Sequence, residues 1–427
     1  MSILQRYIAS FSIFARKRPS DCEKGFDIVI GNPPYIDSET MTKIMPDVRA
    51  EYARTFSTAR GNWDIYIVFY EQGLNLLNSC GHLSFITPNK WLSIGYGKTL
   101  RKKVFDNIIS VCDCQRIKVF EAGNEPTICF LSNNKVEQQS ISVSRYETDN
   151  SHHVLQRIAK ASLSSEDLGA LLSEHIELLM KIKQQTNSVG DYIDSENPFS
   201  TAEAYDLIPL VHDAPFNARE EFKLINTGTI DPYISFWGIY KTAYLKGKYD
   251  RPVIDRMAFE KKFPRRKRQA TATKIIISGM RYFEAFLDAE GEYIAGKSTI
   301  ILLNAIKPEY YKILLGILNS KMISFYLKQS YSTLGIGGGI NYSNDMVAAI
   351  PCPSLDGSHL ARQIIQFVDI ILSCRKNNPT AESLDSFPEY LRAIVEIEKI
   401  VSKLYGLSID DVRTIDSDST ISAQDLE

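Results

Sequence analysis

The stretch that decides the fold spans residues 26–37 and reads FDIVIGNPPYID. Its first part, Phe26–Ile30, is an apolar strand that ends on two consecutive prolines flanked by Asn32 and Tyr35. Prolines fix φ and remove backbone donors, so they end the strand and set the directions of the local carbonyls. Because ligands of open α/β sheets bind beyond the carboxyl ends of strands, the position is that of a functional loop.

Around this loop, short apolar strands alternate with helical stretches up to about residue 135. Trp63–Leu77 has the apolar periodicity of an amphipathic helix, and another helix begins at Thr99. Such alternation is typical of a parallel sheet covered by helices. Further strands are predicted at Leu83–Thr87, Ile109–Cys114 and Thr127–Leu131. The sequence therefore predicts an α/β fold with a partial Rossmann-like sheet.

Beyond residue 150 the pattern changes in three steps. Residues 151–195 are charged, lack strong turn signals and are predicted to be a helical connector. Residues 196–360 mix strand and helix signals and predict an α+β domain, whereas residues 361–427 return to helical periodicity. The chain thus divides into an α/β domain over 1–150, the connector, the mixed domain, and C-terminal helices with an acidic tail that is expected to fray.

Composition excludes several classes of protein. With 427 residues, 44% of them hydrophobic, and a net charge of −2, the chain has the composition of a globular protein and not of a disordered one. Polar residues interrupt its longest apolar run, at 313–327, so we expect no membrane span and a cytoplasmic protein. The seven scattered cysteines form neither a disulfide framework nor zinc-site spacing, and no metal site is predicted.

The chemistry of the loop follows from its residue types. The Asn32 side-chain oxygen and the Pro33 carbonyl are two acceptors, and Pro34 keeps the row rigid. Acceptors that converge on one exocyclic amino group take both of its hydrogens and leave its lone pair free to attack. Tyr35 offers a flat face for stacking a base, worth ~1–3 kcal/mol. An ordinary strand-ending turn is the alternative for Asn-Pro alone, but four specified residues after an apolar strand favour a site.

This motif resembles the Asn-Pro-Pro-Tyr motif of adenine-N6 DNA methyltransferases, most closely the TaqI-like restriction-modification methylases. The resemblance covers nearly the whole chain. Three further segments carry it in the first domain: Gly61–Tyr66, Gly81–Leu92, and Lys118–Gly123 leading into Thr127–Phe130.

The resemblance implies that the chain binds an adenine extruded from double-stranded DNA, because the reacting nitrogen is otherwise paired inside the duplex. In that family pattern Asn32 and Pro33 bind N6, and Tyr35 and Phe120 stack the ring. The implied methyl donor is S-adenosylmethionine, and no metal is needed. For Phe120 alone, a buried core aromatic is an equally good reading.

The chain departs from the family pattern in its cofactor loop. This glycine-rich turn normally lies well upstream, and the 31 residues before Asn32 are too few for the βαβ units that carry it. Cofactor-binding residues therefore stay unassigned, and we expect a second polypeptide, or a longer parent, to carry the loop. The glycine cluster Gly335–Gly339 could be a permuted cofactor loop, although its neighbours predict neither a buried strand before it nor a helix after it.

Residues 225–353 resemble the family's target-recognition (specificity) domain. The segments that carry this resemblance are Ile225–Asp231, Leu315–Ser320 and Ala349–Pro353. A run of basic residues lies in the same region, and such clusters neutralise DNA phosphates, although an isolated charge run is more often a solvated surface. We predict DNA binding by Lys261, Lys262, Arg265, Arg266, Lys267 and Arg268.

Three hypotheses of function follow. The first is an adenine-specific DNA methyltransferase chain in a restriction-modification or defence system. The second is a catalytically inactive DNA-binding specificity module, in which the motif is a remnant. The third keeps the chemistry but changes the substrate to RNA guanine or protein glutamine, because Asn-Pro-Pro-Tyr occurs there too; the basic clusters favour DNA.

Overall fold

The structure is a computed structural model that describes residues 11–14, 25–117, 119, 125–134, 139–149, 151–331 and 339–427. The chain forms two compact units. The first comprises residues 1–176 and 329–334, and the second comprises residues 177–328 and 335–427.

A seven-stranded sheet in the order β1-β2-β3-β5-β4-β6-β7 forms the centre of the first unit. β2 runs parallel to β3 and β4 runs parallel to β6, whereas the remaining neighbours are antiparallel. The α/β class is confirmed, but the sheet is mixed because β5 inserts between β3 and β4 in the opposite direction. The strands are β1 Phe11–Phe14, β2 Phe26–Gly31, β3 Leu77–Pro88, β4 Ile108–Asp113, β5 Pro126–Ser132, β6 Ser140–Tyr146 and β7 His152–Ala159.

One face of this sheet is buried beneath helices. Val29, Leu83 and Phe85 lie on that face and are at most 1% exposed. The helix between β2 and β3 approaches the sheet closely at Gly73, where an added Cβ would lie 2.3 Å from the Leu83 side chain. The helices of this unit are α1 Ser38–Ile44, α2 Pro46–Thr55, α3 Tyr66–Leu76 and α4 Lys98–Val104, and short 3₁₀ turns span Asn89–Leu92, Gly95–Gly97, Phe105–Asn107, Lys160–Ser162 and Ser165–Leu172.

The predicted helical connector over 151–195 differs from the structure. Residues 152–159 form strand β7, which pairs antiparallel with β6, and the units divide near residue 176. The only α-helix of this stretch is α5, Ile176–Lys183. Most side chains of β7 are exposed, including the apolar Val154 and Leu155, so this edge strand lacks the apolar alternation that sequence patterns could detect.

The second unit is built on two four-stranded sheets, in the orders β10-β16-β11-β20 and β19-β17-β21-β9, with four two-stranded ladders. Its mixed α+β character agrees with the prediction. The strands are β8 Asn187–Ser188, β9 Asp194–Glu196, β10 His212–Asp213, β11 Glu221–Ile225, β12 Ile230–Asp231, β13 Ile234–Ser235, β14 Thr242–Tyr244, β15 Gly247–Tyr249, β16 Pro252–Asp255, β17 Lys274–Ser278, β18 Met280–Arg281, β19 Ala285–Asp288, β20 Tyr293–Ala295, β21 Thr299–Leu303, β22 Ile340–Asn341 and β23 Pro351–Cys352.

Helices complete this unit. The first helix after β21 packs closely on the helix that begins at His359, since a Cβ on Gly316 would lie 2.4 Å from Ile364. The helices are α6 Thr201–Leu207, α7 Arg256–Lys262, α8 Lys267–Thr271, α9 Glu309–Leu318, α10 Lys321–Ser330, α11 Asn344–Ala348, α12 His359–Asn377, α13 Pro388–Leu404, α14 Ile409–Ile415 and α15 Ala423–Leu426, with 3₁₀ turns at Val189–Asp191, Ile208–Leu210, Thr227–Thr229 and Pro264–Arg266.

The C-terminal tail is more ordered than its sequence suggests. The Asp416 carboxylate forms an ion pair with Lys321 at 2.6 Å, and the Asp425 carboxylate forms one with Lys399 at 2.9 Å. The expectation of a frayed tail is therefore wrong, because these carboxylates have cationic partners on packed helices. None of the helices in the described part of the chain has the length and apolar character needed to cross a membrane.

Candidate active site

The loop Asn32–Tyr35 leaves the carboxyl end of β2 with its residues in different environments. Pro33 is buried, Tyr35 is half-buried and Asn32 is exposed. Within the described residues, no group hydrogen-bonds the Asn32 side chain. The buried proline therefore fixes the backbone while the amide of Asn32 stays available to a ligand.

The contacts that hold the ring of Tyr35 include one hydrogen bond and one ring contact within the described residues. Its hydroxyl donates a hydrogen bond to the carbonyl of Ile86 on β3, at 3.1 Å. Its ring meets Tyr66 edge to face, with 6.4 Å between the centroids and 84° between the planes. Burial raises the pKa of Tyr35 above its ordinary value, so the hydroxyl stays protonated and keeps donating at neutral pH. The ring is fixed in orientation before any ligand arrives.

The loop is also held at its far end. The backbone N–H of Ile65 donates to the carbonyl of Ile36 at 2.9 Å, which joins the loop to the turn before α3. Asp37 then caps α1 by accepting from the N–H of Thr40 at 2.7 Å. The Thr40 hydrogen bonds lower the pKa of Asp37, so the cap stays ionised. Hydrogen bonds therefore hold the motif at Tyr35 and immediately after it, at Ile36 and Asp37.

A hydrogen-bonded chain of Asp64, Tyr96 and Tyr66 lies beside the loop. Tyr96 donates to Oδ2 of Asp64 at 2.6 Å, and the hydroxyls of Tyr96 and Tyr66 lie 3.0 Å apart. Burial raises the pKa of Asp64, and the hydrogen bond from Tyr96 opposes that rise. Because Tyr66 contacts the Tyr35 ring, this chain supports the ring from behind.

The turn that carries Tyr96 is stabilised by a buried arginine. The Arg101 guanidinium donates to the carbonyls of Trp91, at 2.9 Å, and Ile94, at 2.7 Å. It also pairs with Glu166 at 2.9 Å, which satisfies the buried charge. Sequence reasoning missed Tyr96 and Arg101, since neither belongs to a motif. Their carboxylate partners Asp64 and Glu166 lie 32 and 65 residues away in the chain.

Of the two residues predicted to stack on the base, Tyr35 is among the described residues and Phe120 is not. Tyr35 is oriented as described above, whereas Phe120 lies outside the described residues, as do Lys118 and residues 121–124. Residues 335–338 of the glycine cluster also lie outside them. The roles of Asn32, Pro33, Pro34, Tyr35 and Phe120 remain predictions.

The glycine turn Gly95–Gly97 does not fit the implied cofactor, S-adenosylmethionine. A glycine turn precedes α4 at Gly95–Gly97, the position where such a cofactor could contact backbone amides. However, Tyr96 binds Asp64, and a Cβ on Gly97 would lie 2.3 Å from the Trp91 carbonyl. This turn packs on the chain itself, so no described residue is assigned to the cofactor. The described residues also hold no group of three or more His, Cys, Asp or Glu arranged for a metal ion.

The predicted basic segment folds as α7, a short 3₁₀ turn and α8. Most of its charges have partners on the same unit. Arg266 forms two hydrogen bonds with Glu203, the shorter at 2.7 Å, and Lys267 pairs with Glu260 at 2.6 Å. Arg268 pairs with Glu196.

The other three basic residues of the segment differ from one another. Lys262 is exposed and donates to the carbonyl of Asp206. Lys261 and Arg265 are exposed, and within the described residues neither has an ion-pair partner. The segment therefore offers two free cations, and its remaining charges serve the fold as well as any ligand.

Comparison with known proteins adds to this geometry. Residues 5–121 match the family model of the Eco57I restriction-modification methylase. That span includes the whole Asn32–Tyr35 loop and the Asp64–Tyr96–Tyr66 chain. Residues 5–121 are therefore similar in sequence to restriction-modification methylases.

Individual proteins with similar sequences include restriction-modification enzymes and methyltransferases. The type II restriction enzyme and methyltransferase RM.Eco57I of Escherichia coli is 27% identical over 182 residues, which are 40% of this chain and 18% of that protein. The type II methyltransferase M.PaeR7I of Pseudomonas aeruginosa is 40% identical over 82 residues, 19% of this chain and 14% of that protein. The chain thus matches less than a fifth of the length of either relative.

A solved structure of the type IIL restriction-modification enzyme MmeI in complex with DNA also aligns with the chain. It is 14% identical, and the alignment covers 91% of this chain and 56% of that one with a TM-score of 0.49.

Proposed function

We propose that this chain takes part in methylating adenine N6 in double-stranded DNA, within a restriction-modification or defence system. The observation that carries the proposal is the Asn32–Tyr35 loop at the carboxyl end of β2. There the Asn32 amide, which has no hydrogen-bond partner among the described residues, lies beside an anchored aromatic ring. The match of residues 5–121 to a restriction-modification methylase family supports it.

In this proposal the loop holds the base and directs its amino group. The Asn32 amide oxygen and the Pro33 carbonyl accept the two N6 hydrogens of an extruded adenine, which turns the nitrogen lone pair outward. The Tyr35 ring stacks on the base, and its hydrogen bond to Ile86 keeps the stacking face in place. Orientation of this kind is a major source of rate acceleration, because the reacting atom is held in one direction.

The proposed methyl donor is S-adenosylmethionine, whose sulfonium supplies an electrophilic methyl group when bound. Lys261 and Arg265 are proposed to contact DNA phosphates, since their charges are free of protein partners within the described residues.

The test is methyl transfer by the protein isolated from its own host together with its associated chains. Donor labelled in its methyl group is incubated with unmethylated DNA, RNA or protein, and the labelled product is digested and separated. We expect label in N6-methyldeoxyadenosine only, and its loss with Asn32→Ala. The matched control is Asn377→Ala, an exposed asparagine at the end of α12. Label in cytosine, guanine or glutamine would contradict the proposal.

A further inference from the structure

A strained and exposed turn joins β17 to β19 in the second unit. Its residues are Met280, Arg281 and Tyr282, of which Met280 is 43% and Tyr282 69% exposed. Arg281 has a φ of 68°, which L-residues other than asparagine and aspartate seldom adopt. The N–H of Tyr282 donates to the carbonyl of Met280 at 3.0 Å, so the three residues form a γ-turn of the rare, strained hand.

The base of this turn is rigid. Met280 and Arg281 pair with Asn341 and Ile340 as the ladder β18–β22. The hydroxyl of Ser278 donates to the carbonyl of Met280 at 3.1 Å. These contacts force the strained backbone and prevent it from relaxing.

Further contacts fix the neighbouring residues. The N–H of Gly279 donates to the carbonyl of Ser298 at 3.0 Å, and the N–H of Tyr342 donates to the carbonyl of Gly279 at 2.9 Å. The buried Phe283 meets the ring of Tyr342 edge to face at 5.1 Å. Met280–Tyr282 is therefore a projecting tip on a fixed base and not a loose loop.

The side chains of Arg281 and Tyr282 do not stabilise the described part of the fold through polar or ring contacts. The Arg281 guanidinium has no hydrogen-bond or ion-pair partner among the described residues, and the Tyr282 ring has no ring contact there. In the basic segment, by contrast, Arg266 and Arg268 are both paired with glutamates. Strain that persists without any internal benefit to the side chains indicates a role outside the fold.

We propose that Arg281 and Tyr282 read base edges of the DNA target. The inference rests on the proposed function, because DNA is the ligand in both. An arginine held in one direction can donate two hydrogen bonds to O6 and N7 of guanine, the commonest specific contact in the major groove. Tyr282 stacks on or wedges against an adjacent base. The tip is too small for a stable protein interface, which takes ~800 Å² from each partner, whereas reading a base pair takes one or two side chains.

The experiment is selection of sequences from a randomised duplex library by the complete protein and by three variants, Arg281→Ala, Arg281→Lys and Arg281→Gly. All three are expected to select the wild-type motif relaxed at one or two adjacent base pairs, with about 5- to 150-fold weaker binding to the full motif. Lysine keeps the charge but cannot donate in the two-pronged geometry, so it should not restore selection.

Arg281→Gly separates this role from a structural one. Glycine adopts positive φ without strain, so this variant should melt at or above the wild-type temperature while its motif is relaxed. Arg392→Ala removes an exposed arginine of α13 for which the described residues offer no partner, and it should leave the motif intact.

Three results would overturn the inference. One is an unchanged motif and affinity in all three Arg281 variants, which would leave the tip to a protein partner. Another is affinity lost equally for every sequence and restored by lysine, which would make Arg281 a phosphate contact. The last is a wild-type protein that selects no motif. Methyl transfer is measured separately, and Asn32→Ala should select the wild-type motif, so failure of the proposed chemistry is distinguishable from failure of base reading.

Discussion

The Asn32–Tyr35 loop and the Lys261–Arg268 segment were both predicted as functional, but the structure treats their side chains in opposite ways. In the loop, the backbone and Tyr35 are anchored while the Asn32 amide is left without a partner among the described residues. In the basic segment, three of the cations are paired with glutamates on the same unit.

The difference shows what a residue motif and a run of basic residues can each predict about a structure. A motif specifies residue types in order, and those types fix a backbone and a direction. A charge run counts cations without their carboxylate partners. Two of these partners, Glu196 and Glu203, lie about sixty to seventy residues away in the chain. Motif residues are therefore expected to govern chemistry, and the basic segment is expected to divide into structural and DNA-contacting residues.

The largest effect should come from Asn32→Ala. Loss of one of the two acceptors frees the amino group to rotate, so methyl transfer should fall by at least about 100-fold. DNA affinity should stay within about twofold, because the Asn32 side chain is exposed and hydrogen-bonds no other described residue. Labelled methyl transfer and filter binding measure the two quantities. Equal losses of binding and of methyl transfer would show that the loop only supports the fold.

A smaller effect is expected from Tyr96→Phe, which removes the hydrogen bond to Asp64 and the contact with the Tyr66 hydroxyl. The support behind the Tyr35 ring loosens, so kcat should fall by about tenfold while KM for DNA changes little. Steady-state kinetics gives both constants, and Tyr205→Phe, at an exposed position, is the matched control. A change in KM alone would assign Tyr96 to DNA binding instead.

Glu203→Gln tests the structural half of the basic segment. Its hydrogen bond with Arg266 is the main cause that brings the pKa of Glu203 to about 2, below the value of about 4.3 expected in the unfolded chain. A depressed pKa contributes stability above pH ~4.3 that is lost as the pH falls towards 2. Both side chains are partly exposed, so the variant should lose only about 1 kcal/mol at pH 7.

Urea unfolding at pH 7 and at pH 3 measures this difference, which should shrink at the lower pH. Glu290→Gln removes an exposed carboxylate for which no partner is described, and it is the control. A stability difference that is the same at both pH values would show that the ion pair with Arg266 is not its source.

The smallest effect is expected from replacing the two free cations together, Lys261→Gln with Arg265→Gln. Affinity for DNA should fall by about threefold, and the slope of log K against log salt should decrease by about 2, since each phosphate contact adds about 0.9. The pair Lys267→Gln with Arg268→Gln, whose charges are already neutralised, should change the slope less. A larger change of slope for Lys267→Gln with Arg268→Gln would contradict the division of the basic segment into structural and DNA-contacting residues.

Much of the first unit was predictable because its strands and its central helix are rich in buried apolar residues. Helix α3 was predicted from residue 63 and begins at Tyr66, and the predicted strands correspond to β2 to β5. The direction of β5 was not predictable, since a buried strand has the same pattern in either orientation. The exposed strand β7 was mistaken for helix because an edge strand need not alternate.

The residues of the candidate site also divide into those that the sequence predicts and those that only the structure reveals. Asn32 and Tyr35 were found because a local motif fixes them. Tyr96 joins Asp64 from 32 residues away, and Arg281 is distinguished by a backbone angle and by having no polar partner among the described residues. Neither property is written in a local pattern, so both needed the three-dimensional structure.

The measurement that tests the central claim most directly is a methylation map of the host genome, with the wild-type allele and with Asn32→Ala introduced at its own chromosomal position. This experiment keeps every natural partner present. We predict a set of N6-methyladenines that share one motif in the wild type and disappear in the variant. An identical set of methylated adenines in both strains would contradict the account.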